Sequence, residues 1–201
     1  MVNEASKQFH AAITALDAAH AEDPVKEPAD GEMVPRELLY ARRMSEWLPR
    51  LVDAPSEALQ LAVRGQHLRR WTTSRQDYPA GRAGYHAWRR EQARQQSEQA
   101  VTILAGVGYP AAVCERVASL VRKENLRSDP EAQALEDTAC LVFLSYYFAD
   151  FAPDYEEEKL LGIVRKTWRK MSPRAHELAL QLPFSPAQRE LLGRALAAEE
   201  G

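Results

Sequence analysis

At Asp129-Pro130, Ser172-Pro173 and Ser185-Pro186 a helix-capping residue stands directly before a proline. Proline's fixed φ suits the first turn of a helix, and its missing N–H is one the helix would leave orphaned anyway. The Asp or Ser side chain meanwhile accepts from an N–H one turn on. Ser185 with Gln188, and Asp154 with Glu157, add the reciprocal spacing of a capping box. Pro35, Pro55 and Pro110 mark further starts. These signals predict helices over residues 4–21, 35–48, 55–73, 82–106, 110–124, 130–151, 155–171, 173–181 and 186–199. No stretch alternates as a strand would, so the expected class is all-α.

The segment 130–151 contains TACLVFLSYYFA and is apolar almost all round, the pattern of a helix buried on every side. The expected architecture is an irregular multi-helix bundle around this central buried helix. A length of 201 residues suits a single domain, 1–201, with a sizeable core. Residues 21–35, AEDPVKEPADGEMVP, read as a mobile linker. Residues 73–84, TSRQDYPAGRAG, read as a loop that presents Arg75, Tyr78 and Arg82 on irregular backbone.

No apolar run approaches the roughly 20 residues of a spanning helix, so no membrane partner is expected. The opening residues MVNEASKQ lack the apolar core of a signal peptide, and a cytoplasmic location follows as the default. Cys114 and Cys140 have neither CxxC spacing nor a nearby histidine, which suits small buried hydrophobes better than metal ligands.

Charge is unevenly spread. Both flanks are acidic, whereas residues 64–94 hold Arg64, Arg69, Arg70, Arg75, Arg82, Arg89, Arg90 and Arg94 against Asp77 and Glu91. Such a segment either faces an anion or sits among acidic neighbours. Its lack of lysine carries no weight, since arginine outnumbers lysine 20 to 6 along the chain.

Two polar residues fall where apolar ones belong. Asp137 shares a stripe with Cys140, Leu141, Leu144 and Phe148, so its half-buried carboxylate needs a cation, a donor or a metal. His67 lies four residues from both Val63 and Trp71, on an inward-leaning helical face flanked by arginines. It is either a core histidine held by one hydrogen bond or an acid, base or ligand. His10, His20, His86 and His176 read as solvent-prone or loop-adjacent. Trp71, Tyr78, Tyr85 and Trp88 interleave with the arginines, as in surfaces that stack bases and neutralise phosphates, although the tryptophans also suit the core.

The strings RGQHLRRW (64–71), YPAGRAGYHAWR (78–89), LVRKENLRSDPEAQALEDTACLVFL (120–144) and RKTWRKMS (165–172), with PRELLYARRM (35–44), resemble the domain of unknown function 4202 family over nearly the whole chain. The resemblance brings no reaction with it. A more distant likeness is to the HD-domain phosphohydrolases, all-helical metal enzymes: RGQHL with His67 looks like their first element and ALEDTACLVFL with Asp137 like their last. None of the five histidines here is followed by aspartate, so the central His-Asp pair is missing. A divalent metal is what such enzymes use to activate water, and His86 and Glu124 stand in for that pair only in part.

The function expected on these grounds is an HD-like hydrolase or binding domain for a phosphate-bearing nucleotide or another small anion. His67, Asp137 and Glu124 are the catalytic candidates. Arg70, Arg75, Tyr78, Arg82, Tyr85, Trp88, Arg89 and Lys123 are the candidate ligand contacts, and no residue is assigned to a metal. The alternative is a non-catalytic module that binds RNA or a protein through residues 64–94.

Overall fold

The computed structural model describes residues 4–148 and 156–197. The end of the expected helix at 149–151, the Asp154 capping box and residues 198–199 lie outside them. The described chain is all-α apart from one small hairpin. It comprises α1 (Glu4–His20), β1 (Lys26–Ala29), β2 (Glu32–Pro35), α2 (Arg36–Leu51), α3 (Glu57–Arg64), α4 (Gly81–Gly106), α5 (Ala111–Val121), α6 (Pro130–Val142), α7 (Glu157–Trp168), α8 (Pro173–Leu180) and α9 (Pro186–Ala197). Two compact units divide it, residues 1–135 and residues 136–201, and each is described by itself.

The caps act as their chemistry requires. Asp129 accepts from the N–H groups of Glu131 and Ala132 at the start of α6. Ser172 accepts from Ala175 N–H at 3.2 Å. Ser185 and Gln188 exchange both bonds of a capping box, at 2.8 and 3.2 Å. Helix α6 is buried on most of its circumference, polar residues Glu136, Asp137 and Thr138 included, and it passes into a π-helical turn over Phe143–Tyr147.

In the first unit α1 packs on α2, α3 and α4, α2 on α3, and α5 on both α3 and α4. Leu16, Met44, Leu59, Leu61, Val63, Leu104 and Leu120 fill the space between them. Arg64, at the end of α3, ties three helices together. It clasps Asp17 of α1 with two bonds, at 2.6 and 2.7 Å, and donates to Ser45 of α2 at 3.1 Å. In the second unit α7 packs on α9, and Leu141, Leu144, Phe148, Leu160, Val164, Ala175 and Phe184 are buried.

Two expectations need correction. Residues 21–35 hold a β-hairpin where a linker without strands was expected: Lys26 pairs with Pro35 and Ala29 with Glu32 across an Asp30-Gly31 turn. Both turn residues have positive φ, +50° and +84°, the conformation that favours Asp-Gly. The expected helix 55–73 stops at Arg64, where Gly65 caps it. His67 and Arg69 then adopt left-handed φ of +65° and +46° before a short 3-10 turn over Arg70–Thr72.

Candidate functional site

The start of α2 is built without a capping side chain of its own, because Pro35 occupies the cap position. Asp23 supplies the missing acceptor. It is 2% exposed, and its two oxygens accept from Val25 N–H at 2.9 Å and Glu37 N–H at 3.0 Å. One carboxylate thus closes the base of the hairpin and caps the helix it leads into. This fixes Glu37 and, one turn on, Tyr40.

Glu37 is 4% exposed, and its Oε2 lies 3.1 Å from His67 Nδ1. Tyr40 stacks on the same imidazole, with ring centroids 4.2 Å and planes 15° apart. Arg70 brings Nη1 to 3.2 Å from His67 Nε2 and 3.4 Å from Nδ1, with its guanidinium carbon 5.6 Å from the Trp88 ring centroid. Helix α4 positions that arginine: Gln92 donates to the carbonyls of Arg70 and Thr73, both at 3.0 Å, and Trp88 Nε1 to Thr73 at 2.9 Å. The His67 side chain retains 22% exposure, so a ligand can reach it.

Burial, and then the Arg70 charge, pull His67 down to about 4. Glu37 opposes them by charge and hydrogen bond, while Lys123 adds to the depression. Burial pushes the Glu37 carboxyl up, but the charge and hydrogen bond of His67, with the charges of Arg70 and Arg36, outweigh it and hold the carboxyl below its usual range. The two arginines pull the same way whatever the state of His67. At neutral pH the pair is therefore a carboxylate and a neutral imidazole. A carboxylate only accepts, so Nδ1 carries the proton and Nε2 the lone pair.

Backbone conformation marks the same place. Four of the five non-glycine residues with positive φ among the described residues are His67, Arg69, Lys123 and Asn125, in two loops whose charges meet at the imidazole. A left-handed conformation is uncommon outside glycine and is best tolerated by asparagine, aspartate and histidine, so Arg69 and Lys123 carry the strain of these two loops.

The other candidates divide. Arg75 is spent on its own loop, donating to the carbonyls of Tyr78 and Pro79 at 3.0 Å. Glu124 is exposed and paired with Arg122 at 2.7 Å. Tyr78 is half-buried, while Arg82, Tyr85 and Arg89 lie exposed on α4. Asp137 belongs to the second unit, where Ser172 N–H donates to it at 2.8 Å ahead of α8. That is the donor its burial demanded. Its neighbour Glu136 pairs with Lys170 at 3.2 Å.

Glu37, Tyr40, Asp23 and His20 were missing from the sequence-based set. His20 corrects the expectation of a solvent-prone residue: it is fully buried, with Nε2 2.9 Å from Arg64 O and Nδ1 without a hydrogen-bond partner. The signals were present in the spacing. His20 continues the face of Ala12 and Leu16, and Glu37 that of Ala41, Met44 and Leu48. A cavity of ≈ 270 Å³ elsewhere in the first unit, lined by Phe9, Ile13, Leu48 and Gln60 among others, holds none of the expected site residues.

No three His, Cys, Asp or Glu side chains gather into a metal-holding group among the described residues. His67 and Glu37 offer two donors, and Arg70 would oppose a cation beside them. The residues present do not fit the metal of the HD-domain enzymes.

Fold and site together define an all-helical protein with a buried His-Glu pair under an arginine. The chain belongs to the family described as a domain of unknown function (DUF4202), which it matches over residues 10–192. No curated protein and no solved structure matches it, so the likeness to HD-domain phosphohydrolases rests on sequence strings alone. Among the described residues no helix is long and apolar enough to cross a membrane.

Proposed function

We propose that the chain binds a small phosphate-bearing ligand of nucleotide size at the His67 cluster, as a hydrolase or binding domain in which His67 moves the proton. The supporting observation is an imidazole 3.1 Å from a buried carboxylate, with a guanidinium 3.2 Å from Nε2. Arg70 and Lys123 supply positive charge for the anion, and Tyr40 and Glu37 fix the ring. An anion seated on those cations offsets the charges that depress His67, so its proton affinity rises when the ligand arrives. In hydrolysis Nε2 accepts the proton of the attacking water as its oxygen bonds to phosphorus, the ester P–O bond breaks and the departing alkoxide takes a proton from solvent, while Glu37 stabilises the imidazolium until it releases its proton. Asp137 and Glu124 have no part in this reading, because Ser172 and Arg122 occupy their carboxylates.

The test is calorimetric titration of the full chain with inorganic phosphate and with a nucleoside monophosphate, alongside a screen for phosphate release from phosphoesters. Arg70→Ala should weaken binding about tenfold, the effect of one lost charge-assisted hydrogen bond. His67→Gln should keep binding and abolish any turnover. Absence of saturable binding of either ligand up to on the order of 10 mM, well beyond a 4 kcal/mol interaction, would sink the proposal.

A further inference from the structure

Of the eight arginines between residues 64 and 94, half are consumed inside the first unit. Arg64 holds Asp17, Arg69 holds Glu22, Arg75 holds loop carbonyls, and Arg94 holds Glu91 and Glu98. Arg70 lies at His67. The remainder, Arg82, Arg89 and Arg90, are exposed near the start of α4 and form no ion pair among the described residues. No acidic residue occupies the first turn of that helix. The positive excess of the sequence thus reduces to one solvated surface.

That surface has a geometry. Helical spacing puts Arg82, Tyr85, His86 and Arg89 on one face, and all four are exposed, Tyr85 at 44%. Arg82 Nε donates to His86 Nε2 at 3.4 Å, a contact that leaves the guanidinium charge uncompensated. Arg82 and Arg89 stand two turns apart, about 10.5 Å along the axis, with the tyrosine between them. An exposed aromatic between guanidinium groups offers a stacking platform flanked by phosphate contacts. An acidic peptide would use the charge and leave the ring without a role.

We propose that this face of α4 binds single-stranded nucleic acid, with a base stacked on Tyr85 and backbone phosphates on Arg82 and Arg89. None of these residues belongs to the His67 cluster, so the inference stands or falls independently of the ligand site. The test is fluorescence anisotropy of a labelled single-stranded 12-nucleotide RNA and its DNA counterpart against the full chain, over a range of salt. Tyr85→Ala should weaken binding about tenfold and Tyr85→Phe should restore it, as stacking requires. Arg82→Gln and Arg89→Gln should each reduce the slope of log affinity against log salt by about 0.7. Circular dichroism checks that these surface variants stay folded. No binding at low salt, or binding that all these variants leave intact, overturns the proposal. Equal competition by polyglutamate of matched charge also overturns it and assigns the face to an acidic protein.

Discussion

Glu37 Oε2 and His67 Nδ1 meet at 3.1 Å although 30 residues separate them, and the two arrive by different local devices. Asp23 fixes the carboxylate by capping α2 from outside the helix. A left-handed residue after the Gly65 cap turns the imidazole back toward it. The carboxylate is 6% exposed and the imidazole 22%, so the dry partner orients the reachable one.

Acid should destabilise the fold. His67 falls from 6.5 to about 4, and His20 is lowered too, by burial above all, with the Arg64 charge adding to it. A histidine with a depressed folded value contributes stability that is complete above its unfolded value and lost as pH drops toward the folded one. The window therefore runs from about 6.5 down to about 4, and Glu37, also depressed, extends the same sign below it. At roughly 1.4 kcal/mol per unit, His67 alone accounts for on the order of 3 kcal/mol. Urea midpoints across pH 4–8 should show this slope, and His67→Gln should flatten it.

Asp23→Ala should cost about 2 kcal/mol, because it uncaps α2 and leaves two backbone donors without acceptors. The check is a lower denaturation midpoint at unchanged m. The same variant should loosen Glu37 and so weaken the interactions that hold His67 up, lowering its titration further, which NMR titration of the imidazole reads.

Gly84 is required by close approach: a Cβ there would meet Pro79 O at 1.8 Å and its carbonyl carbon at 2.7 Å. Backbone cannot yield as a flexible side chain does, so Gly84→Ala should cost at least about 2 kcal/mol. It should also release the loop that Arg75 clamps. Gly106→Ala, which meets nothing within 4 Å, is the control and should stay within about 0.5 kcal/mol of the parent.

Arg64→Ala should be among the most damaging single changes outside the apolar core, at about 3 kcal/mol, since it strands Asp17 and parts three helices. A double-mutant cycle with Asp17→Ala should return a coupling energy above about 1 kcal/mol. Near-additive losses would mean that the bidentate pair contributes little.

The helical class was legible because proline, serine and aspartate announce helix starts by local chemistry, and those caps formed as written at Asp129, Ser172 and Ser185. The hairpin was not. Its strands, KEPA and EMVP, carry prolines and charges without alternation, and only Asp30-Gly31 signalled it. His67 was singled out on helical spacing, yet it owes its place to the chain leaving the helix at Gly65. Its partner Glu37 was hidden because a charged residue in a first helical turn ordinarily reads as a solvated complement to the dipole. Of the arginine cluster the sequence showed the excess charge. Which guanidinium groups are already spent depends on Asp17, Glu22 and loop carbonyls that folding alone brings near.

The most direct test of the His67 site is NMR titration of its imidazole nitrogens against pH, with and without inorganic phosphate at matched ionic strength. The structure predicts a neutral ring with Nδ1 protonated in the free protein, titrating well below 6.5. Saturating phosphate should move that titration toward neutrality in the parent chain, and in Arg70→Ala the movement should be smaller and should need about tenfold more phosphate. A free His67 that titrates at its ordinary value, or one whose titration ignores phosphate, would contradict the anion site.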